Sequence, residues 1–149
     1  VRRAGNDCLD VSSGEYLVKS ANLENCKDKG ISVGEMSEFS GDDIKVNLTG
    51  IGVSSKDLSK TSINTFKATE TSLCAEVKQK KQEFGGATLT LTSADCAASF
   101  EVDAVSKMMG DNGGRFEKKK SLNCQIMSLN VCRTIFCAEA CSRYLKGGR

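Results

Sequence analysis

The sequence of 149 residues contains no histidine. This absence excludes Ser-His-Asp and Cys-His catalysis, histidine-based metal hydrolysis and the usual acid–base pair of ribonucleases. Proline is also absent, which argues against proline-rich linkers and a modular stalk. There is no tryptophan and aromatic residues make up only 5% of the chain, so we do not expect an aromatic platform that stacks sugars.

Long apolar runs are missing too, and none approaches the roughly 20 residues that span a bilayer. The formal net charge is only +2, with 21 Lys and Arg against 19 Asp and Glu. A dedicated nucleic-acid binder would be far more basic, so we expect no nucleic-acid partner. The length fits a single domain over residues 1–149.

Cysteine, by contrast, is abundant for a chain of this size. The eight cysteines are Cys8, Cys26, Cys74, Cys96, Cys124, Cys132, Cys137 and Cys141. Their even number and wide spread predict four disulfides and a secreted, extracellular protein. The rival interpretation is that the cysteines hold a metal or are buried free thiols. Zinc knuckles with C-x2-C spacing are absent, so we expect no metal. We expect no cofactor either. The N-terminus lacks the apolar segment of a signal peptide, so we expect the mature form with its leader removed.

Alternating apolar and polar residues predict several β-strands. In residues 43–53 the apolar positions are Ile44, Val46 and Leu48, followed by Ile51 and Val53. Period two places these side chains on one buried face. The parity changes between Leu48 and Ile51, which we interpret as a bulge near two glycines. Further strands are predicted over residues 63–81 and 87–92 and around residues 100–102, and no internal repeat is evident.

The pair Gly85-Gly86 lies between two predicted strands and indicates a β-hairpin. Folding symmetrically about it brings residue 75 opposite residue 96. We therefore predict a disulfide between Cys74 and Cys96.

The last part of the chain has a different pattern. Residues 122–146 contain no glycine, and their apolar residues recur at steps of three and four, which is typical of an amphipathic helix. Cys137 and Cys141 would face the same way and could fasten this helix to other elements. The predicted fold class is α+β, an antiparallel sheet of four to six strands with a C-terminal helix cross-linked to it by disulfides.

Candidate functional residues are few. Glycosidases need only two carboxylates, but Asp42-Asp43 and the pair Glu101 and Asp103 are interpreted as solvated charges. The sequon Asn47-Leu48-Thr49 predicts N-glycosylation at Asn47.

Two clusters of basic residues are the candidate binding sites for an acidic partner, although solvated charge is the simpler interpretation. The clusters consist of Lys78, Lys80 and Lys81, and of Arg115, Lys118, Lys119 and Lys120.

The function expected from these patterns is that of a secreted, disulfide-stabilised and non-catalytic binding protein. It would be an effector, a toxin or a surface-recognition factor that contacts a protein or glycan outside the cell, through loops on a rigid scaffold. One alternative is a structural protein that self-assembles through its strands. Another is a small hydrolase with two carboxylates, which would need a cleft holding both.

Overall fold

A computed structural model describes residues 1–110, which wind into a β-solenoid. Every strand pairing is parallel, and no helix occurs within this part of the chain. The strands are β1 (Arg2–Ala4), β2 (Leu9–Lys56), β3 (Lys60–Lys78), β4 (Thr88–Cys96), β5 (Ser99–Val102) and β6 (Lys107–Gly110).

One coil of the solenoid takes 22 residues. Glu38 pairs with Lys60 and Lys56 pairs with Lys78, so β3 lies on the second half of β2 without a shift in register. The same spacing pairs Arg2 with Glu24. The next coil is longer, because Lys60 pairs with Thr88 after a loop over residues 79–87.

The predicted α+β class and its antiparallel sheet are therefore wrong. Period-two alternation shows which side chains face inward, and it is the same for parallel and antiparallel strands. The hairpin at Gly85-Gly86 does not exist; a Cβ on Gly86 would lie 2.0 Å from the carbonyl oxygen of Val105 in the next coil. The helix predicted for residues 122–146 lies outside the described residues.

A repeat that sequence analysis missed underlies the coils. Gly30-Ile31-Ser32 and Gly52-Val53-Ser54 are 22 residues apart and occupy equivalent places. A Cβ on Gly30 would come within 2.6 Å of the carbonyl oxygen of Gly52. On Gly52 it would come within 2.5 Å of the carbonyl oxygen of Cys74. The glycines are needed because the backbone of the next coil occupies the space of a side chain.

The interior is filled by apolar side chains stacked from coil to coil. Val53 pairs with Ala75, which pairs with Phe100. Burying aliphatic and aromatic side chains contributes about 1.5–3 kcal/mol each. The largest fully buried ones are Phe39, Phe66, Leu23, Ile31, Ile44, Ile63, Leu89, Leu91, Val33, Val46, Val53 and Val77.

Two disulfides cross-link the described coils. Cys8 and Cys26 are joined with a Cα–Cα distance of 5.3 Å, and Cys74 and Cys96 with 6.1 Å. The predicted Cys74–Cys96 pair is thus confirmed, although the hairpin that suggested it is absent. The two cysteines lie in neighbouring parallel coils, because Cys96 pairs with Ala68 and the neighbours of Cys74 pair with Ser99 and Phe100. The other four cysteines lie outside the described residues.

The chain turns at two corners where residues other than glycine adopt left-handed φ values. The first corner consists of Arg3, Asn25, Leu48 and Glu70 with φ of 52–58°. The second corner consists of residues 13–14, 35–36 and 57–58. Leu48 is 45% exposed here rather than buried with Ile44 and Val46. The parity change that the sequence indicated as a bulge is this corner.

A third change of direction, which we call the inner bend, lies at residues 52–55 and 74–77 and turns the chain in the opposite sense to the corners. Residues 52–55 and 74–77 are all buried, although strand residues alternate between the two faces. Gly52 and Val53 both face the interior, so the strand bends toward the interior between them. The outward side chains beside the bend are therefore covered, and Ser54 is fully buried.

Within residues 1–110 there is also no helix long and apolar enough to cross a membrane.

Candidate functional site

The broadest regular surface of the solenoid lies between its two corners. We call it the outer wall, formed by the exposed side chains of residues 38–47, 60–69 and 88–95. Alternation points these side chains outward along most of each strand, but two consecutive residues face outward at positions 42–43, 64–65 and 92–93. The parallel register stacks equivalent positions in columns. Neighbouring coils are about 4.8 Å apart, and successive outward residues of one strand are about 6.6–6.8 Å apart. The wall is thus a set of side-chain columns with one break in the alternation, at positions 42–43, 64–65 and 92–93.

Side chains of the outer wall bind one another across the coils. The amide of Asn64 donates to Asp42 at 2.8 Å. The hydroxyl of Thr69 donates to the amide oxygen of Asn47 at 2.8 Å. These bonds join β3 to β2 and hold the side chains in place.

Each lysine of the outer wall is paired with a carboxylate of the same wall. Lys60 contacts Glu38 at 2.7 Å, Lys45 contacts Asp43 at 2.9 Å, and Lys67 contacts Asp95 at 3.0 Å. All six side chains are more than one third exposed, so each pair contributes at most about 1 kcal/mol to stability. Their main effect is to cancel most of the field that the wall presents to a ligand.

Hydroxyl groups form a second set of columns on the same wall. Ser40 pairs with Ser62, which pairs with Thr90, and Thr65 pairs with Ser93. These side chains are exposed or half-buried, and none of the five makes a hydrogen bond within residues 1–110. We call them the hydroxyl patch. Each hydroxyl can donate one bond and accept others, so the patch has unused hydrogen-bonding capacity.

The carboxylate pairs considered from sequence occupy two different surroundings. Asp42 and Asp43 lie side by side on the outer wall, bound to Asn64 and Lys45 respectively. Glu101 is in β5, and Asp103 follows it. Among residues 1–110 no group of acidic residues and cysteines has the arrangement of a metal site.

Asp103 holds the loop that precedes β6. It accepts the backbone N–H groups of Gln79, Val105 and Ser106 at 2.7, 3.1 and 2.8 Å. Burial alone would raise the pKa of Asp103, but these hydrogen bonds stabilise the carboxylate and hold the pKa below its ordinary value. The side chain therefore has a role in loop structure.

The first basic cluster lies near the second corner. Lys78 binds Glu76 at 2.7 Å and Lys81 binds Glu35 at 2.5 Å, whereas Lys80 is exposed. The hydrogen bond to Glu35 raises the pKa of Lys81. Two of the three lysines thus already have acidic partners.

The second cluster, Arg115, Lys118, Lys119 and Lys120, lies outside the described residues.

The inner bend holds polar side chains that satisfy one another. The hydroxyl of Ser54 donates to Glu76 at 2.6 Å, and Lys56 donates to Ser32 at 2.9 Å. Lys29 is also largely covered; burial would lower its pKa, but a hydrogen bond to Asp28 and nearby carboxylates raise it. Buried polar groups with mutual partners support the fold and leave little capacity for a ligand.

The sequon lies at the edge of the outer wall. Asn47 is half-buried, next to Leu48 at the first corner. Thr49 is only 7% exposed and donates to the carbonyl oxygen of Asp28 at 3.0 Å. Glycosylation at Asn47 stays a prediction.

The hydroxyl patch is the feature that sequence analysis missed. Thr88, Thr90 and Thr92 alternate with apolar residues and were interpreted only as part of a strand. The 22-residue repeat is the signal that places Ser40 beside Ser62, whereas Thr90 joins the column only because the loop over residues 79–87 lengthens the next coil.

Comparison of the chain with known protein families, curated proteins and solved structures gives no match in any of the three. A function for this chain therefore has to be inferred from the geometry of its own surface.

Proposed function

We propose that the protein is a secreted, non-catalytic binding protein whose outer wall contacts an extracellular partner. The observation that carries this proposal is the hydroxyl patch, which repeats unused hydrogen-bonding groups in register over successive coils. Two disulfides in the described coils are compatible with an extracellular protein.

The scaffold behind the wall favours recognition without rearrangement. The inward neighbours of the hydroxyl patch, such as Ile63 and Leu89, are fully buried, so the strand carrying each hydroxyl is fixed. Asn64 and Thr69 are fixed by bonds between coils. A surface ordered before binding loses less side-chain entropy when a partner arrives.

Blocking the wall tests the proposal. In the double variant Ser62→Lys, Thr90→Lys, long side chains would cover the hydroxyl patch while the buried residues stay unchanged. We expect saturable binding to extracellular surface preparations, such as cell walls or secreted polymers, to fall about tenfold, as the loss of two hydrogen bonds predicts.

The matched control is Ser72→Lys, at an exposed strand position of β3 beyond the first corner. It adds the same side chain away from the outer wall and should leave binding unchanged. Equal loss in both variants, or binding that neither variant reduces, would refute the outer wall as the contact surface.

A further inference from the structure

We infer that the partner of the outer wall is a neutral polysaccharide chain. The inference rests on the proposed function and names the class of ligand that this surface suits. Its four supports are the cancelled charge of the wall, the spacing of its hydroxyls, its lack of exposed aromatic residues and the place of the exposed apolar residues.

Charge argues against a strongly charged ligand. The outer wall carries three lysines, and each is paired with a carboxylate of the same wall. The fourth carboxylate, Asp42, accepts the amide of Asn64. An anionic polymer would have to break these pairs and would meet one more carboxylate than lysine. A cationic polymer would gain only that single excess charge.

The hydroxyl patch suits a ligand rich in hydroxyls. Ser40, Ser62 and Thr90 form one column across three coils, at intervals of about 4.8 Å. Thr65 and Ser93 form a second column along the same direction. Sugar hydroxyls donate and accept hydrogen bonds as serine and threonine do, so a chain lying along the columns could meet several partners in succession.

The lack of exposed aromatic residues on the outer wall bears on the size of the ligand. Phe39 and Phe66, the aromatic residues within the residue ranges that form the wall, are both 1% exposed. Without stacking, each sugar contributes little, and useful affinity requires many contacts along one chain. The wall therefore suits a polymer better than a single sugar.

A protein partner fits the wall less well. Stable protein interfaces have a central apolar region, often with aromatic anchors. Within residues 1–110 the large apolar side chains that are exposed all lie outside the outer wall. They are Val1, Leu17, Met36, Leu48, Leu58, Val105 and Met109.

The test uses the full chain in affinity electrophoresis through gels that contain one soluble polymer each. The neutral polymers are dextran, mannan and mixed-linkage β-glucan; the charged ones are alginate, heparin and chitosan. We expect retardation by at least one neutral polymer, with an affinity that changes less than about twofold between about 0.05 and 0.5 M salt, because no net charge is neutralised on binding.

Three variants locate the binding. Ser62→Lys, Thr90→Lys should weaken retardation by the neutral polymer about tenfold. Ser62→Thr, Thr90→Ser keeps every hydroxyl and should retain binding, and Ser72→Lys should behave like the wild type.

Three kinds of result would overturn the inference. The first is retardation only by charged polymers, with an affinity that falls as salt rises; if the wall variants abolish it, the proposed function still stands. The second is no retardation by any of the polymers. A protein partner that is lost in the same wall variants would likewise refute the polysaccharide and leave the outer wall as a binding surface.

Discussion

The corners and the inner bend change the direction of the same coil by different means. At the corners, left-handed φ values belong to residues as different as Arg3, Asn25, Met36 and Asp57. At the inner bend, Gly30 and Gly52 have ordinary φ values, but a Cβ would lie within 2.6 Å of backbone in the next coil. A corner therefore costs conformational energy, which many residue types tolerate, whereas the inner bend leaves no room for a Cβ at Gly30 and Gly52.

The two corners also differ from each other. At the second corner Asp57 is 1% exposed, and its Oδ1 accepts the backbone N–H groups of Lys80 and Lys81 at 2.6 and 2.8 Å. The backbone of Asp57 also takes part in the hydrogen bonds between coils. Its N–H donates to the carbonyl oxygen of Lys78, and its carbonyl oxygen accepts the N–H of Met36. At the first corner the equivalent outward residues, Leu48 and Glu70, are exposed. The second corner is thus tied to the loop that follows β3.

The largest expected effect is that of Gly52→Ala at the inner bend. The added methyl group would lie 2.5 Å from the carbonyl oxygen of Cys74 and 2.9 Å from the ring of Phe66. Neither neighbour can move away without displacing a coil, so we expect a loss of about 3 kcal/mol or more in the free energy of unfolding, measured by denaturant titration.

Gly34→Ala is the control, because a Cβ there meets no atom closer than 3.7 Å and the φ value is not left-handed. We expect a change of less than about 1 kcal/mol, of either sign. Comparable losses at both glycines would mean that the inner bend does not depend on close backbone contact.

A smaller loss is expected for Asp57→Ala at the second corner. The substitution removes the acceptor of two backbone N–H groups in a buried place, at a cost of about 2–3 kcal/mol. Hydrogen exchange should show loss of protection at Lys80 and Lys81 first.

Two further substitutions separate the lost hydrogen bonds from backbone strain. Asp57→Asn keeps an oxygen acceptor and tolerates the left-handed conformation, so it should lose less than half as much. Glu70→Ala at the first corner should have only a small effect. If Asp57→Asn is as damaging as Asp57→Ala, the contribution of the carbonyl-type acceptor has been overestimated.

The smallest effects concern the strain of apolar residues at both corners. Leu48 and Leu58 have φ of 54° and 62° and are 45% and 46% exposed. Asparagine adopts this conformation more readily, so Leu48→Asn should raise the free energy of unfolding by up to about 1 kcal/mol. Leu58→Asn should gain less, since the side chain of Leu58 lies against Gly85. Thermal melts of the two variants would reveal the order, and a destabilised Leu48→Asn would contradict the strain argument.

The sequence predicted the strands and much of the core, but not how the strands pair. Ile44, Val46 and Val53 are buried as their alternation indicated, because side-chain direction is a local property of a strand. Whether a neighbour runs parallel or antiparallel depends on residues 22 positions away. The glycines that show this are Gly30 and Gly52, and sequence analysis interpreted Gly52 only as one of two glycines near a bulge. Recognising their spacing as a repeat would have predicted the solenoid.

The candidate site was harder to predict for the same reason. Ser40, Ser62 and Thr90 are unremarkable one at a time, and only the register makes them neighbours. The lysines of the first basic cluster were grouped because they are close in sequence. In the structure Lys81 pairs with Glu35 in another coil, and Lys78 pairs with Glu76, two residues away on the same strand. Charge pairing between coils cannot be read from a linear sequence.

The loop over residues 79–87 shows how the solenoid accommodates added length. Thr88 resumes the pairing with Lys60, and Leu89 and Leu91 enter the interior as if the loop were absent. Added residues leave the coil at the second corner and return to it, so their number need not affect the walls. A foreign peptide grafted between Gln82 and Phe84 would accordingly be displayed on a stable support, which makes this corner a natural place for new loops to arise during evolution or to be engineered.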